Sequence, residues 1–416
     1  MPQKAKNKSI SQDLLVETLN QKIESGYKGL LGTINQGVNQ LFYAIGAIIN
    51  DDLKSLTFIT NAGILNAVDE SLKPIFGSFL SFENLALMRR FANSCDTEDK
   101  KHAASILNWR YIPYFLELKG DEEWVFYVEL IYNESLTPAT LSERISTDSF
   151  KQSKANLGLN KKEFWSAKAD SVYRTSYRFY FRGEDADSFQ TLFKPVESQQ
   201  VFLAHSSETN GVYHQTISSI YKRILEFQSA CHHELNTQFN LIHWEIGAEI
   251  VRFSSWTGMS LDNLIKYCIE KLHTTFPALF KLSELNHSIR LVHQYGENNI
   301  APMELIQNVS WPYLKLILDL ESAEKQTYAA YLALNNDISF QDLKEMISQG
   351  SILEPNEEQL KRALNKKSVS KVTSIEKNFI TRGTMETIEP NINPDSDLNR
   401  NIFKNPEFLE FLAKFD

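Results

Sequence analysis

In NQLFYAIGAII, residues 39–49, the apolar positions Leu41, Phe42, Ile45, Ile48 and Ile49 follow the 3.6-residue repeat of a helix with one buried face. Start signals mark further helices. Ser81 and Ser283 each stand just before an apolar run and can cap it, Thr137 precedes Pro138 as an N-cap precedes a first-turn proline, and Ser339 holds the same place later on. Only 12 prolines and 16 glycines in 416 residues interrupt such elements, so the chain is expected to be mainly α. Two stretches depart from that pattern. SYRFYFRGEDADSF (176–189) alternates aromatic and basic residues and turns at Gly183, as a short irregular or β-hairpin connector or the aromatic end of a helix would. Residues 351–400 are polar and turn-rich, the composition of a flexible linker. FKNPEFLEFLAKF (403–415) then sets Phe408, Phe411, Leu412 and Phe415 on one face of a closing helix, which is expected to dock.

The pattern occurs twice. WRYIPYFLELKGDEEWVFYVELIYNESLTPATLSERIS (109–146) aligns without a gap to WPYLKLILDLESAEKQTYAAYLALNNDISFQDLKEMIS (311–348), and 11 of 38 positions are identical, among them Trp109/Trp311, Tyr111/Tyr313 and Leu118/Leu320. Upstream, Ile45-Gly46-Ala47 matches Ile246-Gly247-Ala248, and LSFENLALMRRF (80–91) faces LSELNHSIRLV (282–292) through shared Leu, Ser and Asn. A period of this length is a domain duplication rather than a solenoid repeat. The expected division is a first helical domain at 10–150, a basic and aromatic connector at 151–210, a second helical domain at 211–350, and a basic linker with a tail helix at 351–416. Each domain reads as five or six helices.

Together these pieces resemble a family. Tyr43-Ala44-Ile45-Gly46, then Phe82-Glu83-Asn84-Leu85-Ala86-Leu87-Met88-Arg89-Arg90-Phe91, then Trp109 and Phe126-Tyr127, are similar to the N-terminal domain of YhcG-like bacterial proteins. The second copy keeps Trp244-Glu245-Ile246-Gly247 and Trp311 but has Ile289-Arg290 where the first has Met-Arg. The resemblance implies a helical, helix-turn-helix-like DNA-binding module that precedes a PD-(D/E)xK nuclease domain, in restriction-modification and mobile-element settings. Asn405-Pro406-Glu407-Phe408-Leu409-Glu410-Phe411-Leu412 looks like the segment that leads into the nuclease, and the sequence stops at Asp416, so no catalytic residue is carried over.

Charge refines this reading. The net charge is −9, yet residues 151–182 and 360–382 each carry net +6, which leaves −21 for the remainder. Local charge sets the attraction for phosphate. Lys161, Lys162, Arg174, Arg178 and Arg182 in the first segment, with Tyr173, Tyr177, Phe179 and Tyr180 among them, and Lys361, Arg362, Lys366, Lys367 and Lys371 in the second, are therefore the candidate nucleic-acid contacts. Arg89 and Arg90, on the helix begun by Ser81, would add phosphate contacts if that helix entered a groove, although Glu83 is a poor neighbour for DNA; the alternative is a packing helix. Trp109 and Trp311 fit core packing better than base stacking.

Other chemistry finds little support. Glu117-Leu118-Lys119 has the acidic-x-basic form of a nuclease strand, but its repeat partner is Asp319-Leu320-Glu321, which reads as a variable helix face rather than a catalytic lysine. His232 and His243 are about 16 Å apart along a helix, too far to share one zinc. No phosphate-binding glycine loop or nucleophile elbow occurs. Cys95, Cys231 and Cys268 form no CxxC, which fits a reducing cytoplasm. Neither a membrane span nor a signal segment is expected. The expectation is thus a non-catalytic protein without metal or cofactor, whose partners are DNA, a separate nuclease or restriction-modification subunit, or a second copy of the chain. A protein-interaction scaffold is the alternative.

Overall fold

Apolar side chains three or four positions apart, from Leu15, Leu19, Ile23 and Tyr27 through Leu30, Ile34, Val38 and Leu41 to Ile45 and Ile49, are all buried along one helix, α1 (Pro2–Ser55). An unbroken stripe of this kind holds a long helix together through tertiary packing rather than propensity. This is seen in a computed structural model of the chain, which describes residues 2–55, 60–153, 192–193, 212–296, 302–334, 340–348, 408 and 410–411. Among them all regular structure is helical and there is no strand.

The first copy continues with α2 (Asn61–Phe76), α3 (Phe82–Ser94), α4 (Glu98–Ile106), α5 (Ile112–Phe115), α6 (Asp121–Glu134), α7 (Pro138–Ser146) and α8 (Ser149–Ser153). The second repeats the order with α9 (His214–Thr257), α10 (Leu261–Leu272), α11 (Leu282–Tyr295), α12 (Met303–Asn308), α13 (Trp311–Leu318), α14 (Ala323–Leu334) and α15 (Phe340–Ser348). Each copy thus has more helices than the five or six expected. The four-residue α5, with a proline in its first turn, and the six-residue α12 escape a search for 3.6-residue periodicity.

Serine and threonine side chains cap four helices of the first copy: Ser81 and Thr137, as expected from the sequence, and Thr60 and Thr97 besides. Thr60 accepts from Gly63 N at 3.1 Å, Ser81 from Asn84 N at 3.4 Å and Thr137 from Thr140 N at 3.3 Å. The second copy differs. Its α11 begins after Lys281, which makes no side-chain cap, and Ser283 lies inside the helix. The shared Leu-Ser pairs are two residues out of step: α3 begins at residue 82 and α11 at 282, so the structural offset is 200. Ser339 and the aromatic connector at 176–189 lie outside the described residues.

Packing divides the chain into two compact units that do not follow the sequence repeat. One comprises residues 20–238 and 406–416; the other comprises 1–19 and 239–405. In the first, the opening of α9 runs antiparallel to α1. Phe227 covers Gly37, where a Cβ would lie 2.9 Å from its ring, Thr216 Oγ1 donates to Asp52 Oδ2, and Gln238 lies beside Gly29. Phe408 and Phe411 are buried in the same unit, and the Phe411 ring meets the edge of Tyr27 at 5.8 Å, so the tail docks on its own chain. In the second unit Leu15 and Leu19 are buried, and Tyr267 Oη donates to Asp13 Oδ1 at 2.6 Å.

Cys95, Cys231 and Cys268 are free and buried. Burial raises all three thiol pKa values, those of Cys95 and Cys268 to about 12. No helix among the described residues is long and apolar enough to cross a membrane.

Candidate functional site

The Ile-Gly-Ala anchor is a point of closest approach between helices. A Cβ at Gly46 would lie 2.0 Å from the Met88 carbonyl oxygen of α3, and one at Gly247 2.3 Å from that of Ser288 in α11. Only glycine lets the backbones come this near. Two turns earlier in each long helix an asparagine reaches across the fold. Asn39 Nδ2 donates to the carbonyls of Ala104 and Leu107 at 2.7 and 2.6 Å, and Asn240 Nδ2 to those of Ile306 and Val309 at 2.8 and 2.7 Å. These carbonyls stand at the ends of α4 and α12, where a helix leaves its acceptors unsatisfied.

The candidate arginines sit on this frame, and both have partners. Arg89 Nε donates to Asn50 Oδ1 at 2.9 Å, and its NH1 donates to Asn61 Oδ1; partial burial lowers its pKa. Arg90 pairs with Glu117 at 3.1 Å, with side chains 59% and 69% exposed. The second copy keeps this ion pair as Arg290 with Asp319, at 2.9 Å. Glu117 therefore lies in the turn after α5, not on a helix face, and its acid is retained in both copies because an arginine from α3 or α11 meets it. Lys119 uses its backbone N–H to donate to the carboxylate of Glu123. Lys161, Lys162, Arg174, Arg178, Arg182, Lys361, Arg362, Lys366, Lys367 and Lys371 lie outside the described residues.

Trp109 and Trp311 are buried, and their surroundings separate the two copies. In the first, Phe42 and Phe91 pack edge-on against Trp109, with ring centroids at 4.6 and 5.4 Å. In the second, His243 replaces Phe42 and lies flat on Trp311, with centroids at 3.8 Å and an interplanar angle of 12°. Ser288 replaces Met88, and its Oγ is 3.1 Å from His243 Nδ1. The Trp311 indole N–H donates to Glu284 Oε2 at 2.7 Å, and Lys315 Nζ donates to Oε1 at 2.9 Å.

A polar cluster has thus taken the place of an apolar core. Burial pushes His243 down to about 3, outweighing the upward pull of Glu284, so the ring is neutral; its Nε2 is buried without a hydrogen-bond partner. Burial also opposes charge on Glu284, but the hydrogen bonds from the Trp311 N–H and Lys315, with the Lys315 charge, hold the carboxyl below the usual carboxylate range. His232 is likewise a packing histidine. Its Nε2 is 2.8 Å from the Phe193 carbonyl oxygen, and burial lowers its pKa to about 4. Among the described residues no group of three His, Cys, Asp or Glu side chains is placed to hold a metal ion.

This architecture defines a class: a helical module, closed by a glycine contact and an asparagine clasp and present twice in one chain. The chain belongs to the DUF1016 N-terminal domain family, whose model matches residues 18–152 and again 219–352, together well over half of its length. The matches are two tandem copies of the YhcG N-terminal domain, and both are to that domain alone. Neither a curated protein nor a solved structure matches the chain.

Proposed function

We propose that the chain is a non-catalytic double module that binds DNA, or joins a DNA-processing complex, through its two basic segments. The helical bodies act as the frame. The observation that carries this reading is the charge distribution: two segments of net +6 in a chain otherwise at −21. Counterion release from nucleic acid draws on such local charge, whatever the net value. Arg89 and Arg90 have intramolecular partners, so they add to phosphate binding only by exchanging them. A setting in defence, restriction-modification or mobile elements rests on the family resemblance.

The test is a salt titration on duplex and single-stranded DNA. Binding should weaken steeply with salt. Neutralising Lys361, Arg362, Lys366 and Lys367 to glutamine should flatten the slope of log K against log salt by about 0.9 for each phosphate that is no longer neutralised. Absence of binding to both forms at low salt would refute the proposal. In the scaffold alternative the acidic helical bodies and the tail helix dock partner proteins or a second copy of the chain; of these elements the tail has Phe408 and Phe411 buried against its own chain.

A further inference from the structure

We infer that neither sequence repeat is complete by itself: the body of each copy is finished by the opening turns of the other copy's long helix. The partner this surface fits is therefore a second copy of the module, supplied here within one chain. The two compact units carry the first observation, since each joins one repeat's body to the beginning of the other repeat's first helix.

Side-chain packing carries the second. In the unit of residues 20–238, Ile217, Ile220 and Ile224 of α9 are fully buried although the rest of their repeat lies in the other unit. The Tyr221 ring packs on Phe76 of α2 at 5.5 Å, and a Cβ at Gly63 of α2 would lie 2.3 Å from Tyr213 Oη. The reciprocal placement involves the equivalent helix of the second copy. Leu15 is buried in the unit of residues 239–405, where Asp13 takes the hydrogen bond from Tyr267 of α10. Thus α2 meets the opening of α9, and α10 meets the opening of α1. Two modules that each folded autonomously would have no reason to send the same stretch of helix to the other's body.

Hydrogen exchange with mass spectrometry on the full chain tests this, because sequence and packing assign the same residue to different bodies. Ile220→Ala should raise exchange at least tenfold across residues 61–76 and leave 261–272 unchanged; Leu15→Ala should do the reverse. If Ile220→Ala loosens the chain too broadly to localise the effect, Ile220→Val supplies a milder version of the same asymmetry. Loosening confined to each variant's own repeat, equal loosening of both segments, or no change in either would overturn the inference.

Discussion

Replacing His243 with phenylalanine, the residue that Phe42 supplies in the first copy, should remove a specific part of the protein's acid sensitivity. An imidazole titrates near 6.5 in the unfolded chain, while burial holds His243 at about 3 in the fold. Its folded pKa is depressed, so its stability contribution is fully present above 6.5 and is lost as pH falls toward the folded value. Between pH 7 and pH 5 the unfolded state gains about 2 kcal/mol from protonating this one ring. Glu284 does not confuse the window: its folded pKa lies below 4.5, so its contribution is intact at pH 5 and disappears only at lower pH. His232, depressed to about 4 in the other compact unit, adds a slope of the same sign that the substitution does not touch. Urea unfolding followed by circular dichroism at the two pH values measures the difference. The larger ring costs about 1–3 kcal/mol through overpacking, at both pH values, and so cancels. The wild type should lose about 2 kcal/mol more than His243→Phe on going from pH 7 to pH 5. Equal losses would refute a buried neutral His243.

The repeated frame supplies two further tests. Gly46→Ala and Gly247→Ala push a methyl group onto a backbone carbonyl and should each cost at least about 1–3 kcal/mol, whereas Gly32→Ala, where a Cβ meets nothing within 4 Å, should stabilise the chain by up to about 1 kcal/mol. Thermal melts of the three variants separate these signs. Asn39→Leu and Asn240→Leu each remove a donor from two buried carbonyls and should cost about 2–3 kcal/mol in urea unfolding.

The duplication is legible in the sequence because Trp109/Trp311 and the leucines around them keep their places in the core, where a change of volume is felt at once. The Ile-Gly-Ala anchor is visible too, but its cause is not, since the carbonyl that excludes a Cβ belongs to another helix some forty residues away. The full length of α1 is hidden for a related reason. Gly26, Gly29, Gly32 and Gly37 look like breakers within twelve residues, and what offsets their poor propensity is tertiary, including the Phe227 ring seated on Gly37. Leu80-Ser81 and Leu282-Ser283 align by identity and mislead by two positions. The structural register emerges only through non-local pairs such as Arg90 with Glu117 and Arg290 with Asp319. Of the candidate site residues, Arg89 and Arg90 are legible as charges on a helix, while their partners Asn50, Asn61 and Glu117 are not, because each comes from a different element. The His243 cluster leaves one signal in the sequence, a histidine aligned with Phe42, which gains meaning only once Ser288 and Glu284 are seen beside it.

Three buried thiols turn the chain into its own recorder of opening. A thiol reacts as its thiolate, and burial suppresses that form at Cys95, Cys231 and Cys268 alike, so a water-soluble alkylating reagent scores each cysteine only after the surrounding helices part. Cys231 and Cys268 are neighbours within one repeat by sequence, yet they lie in different compact units. Labelling of Cys231, followed by mass spectrometry under native conditions, is therefore expected to track that of Cys95 rather than that of Cys268.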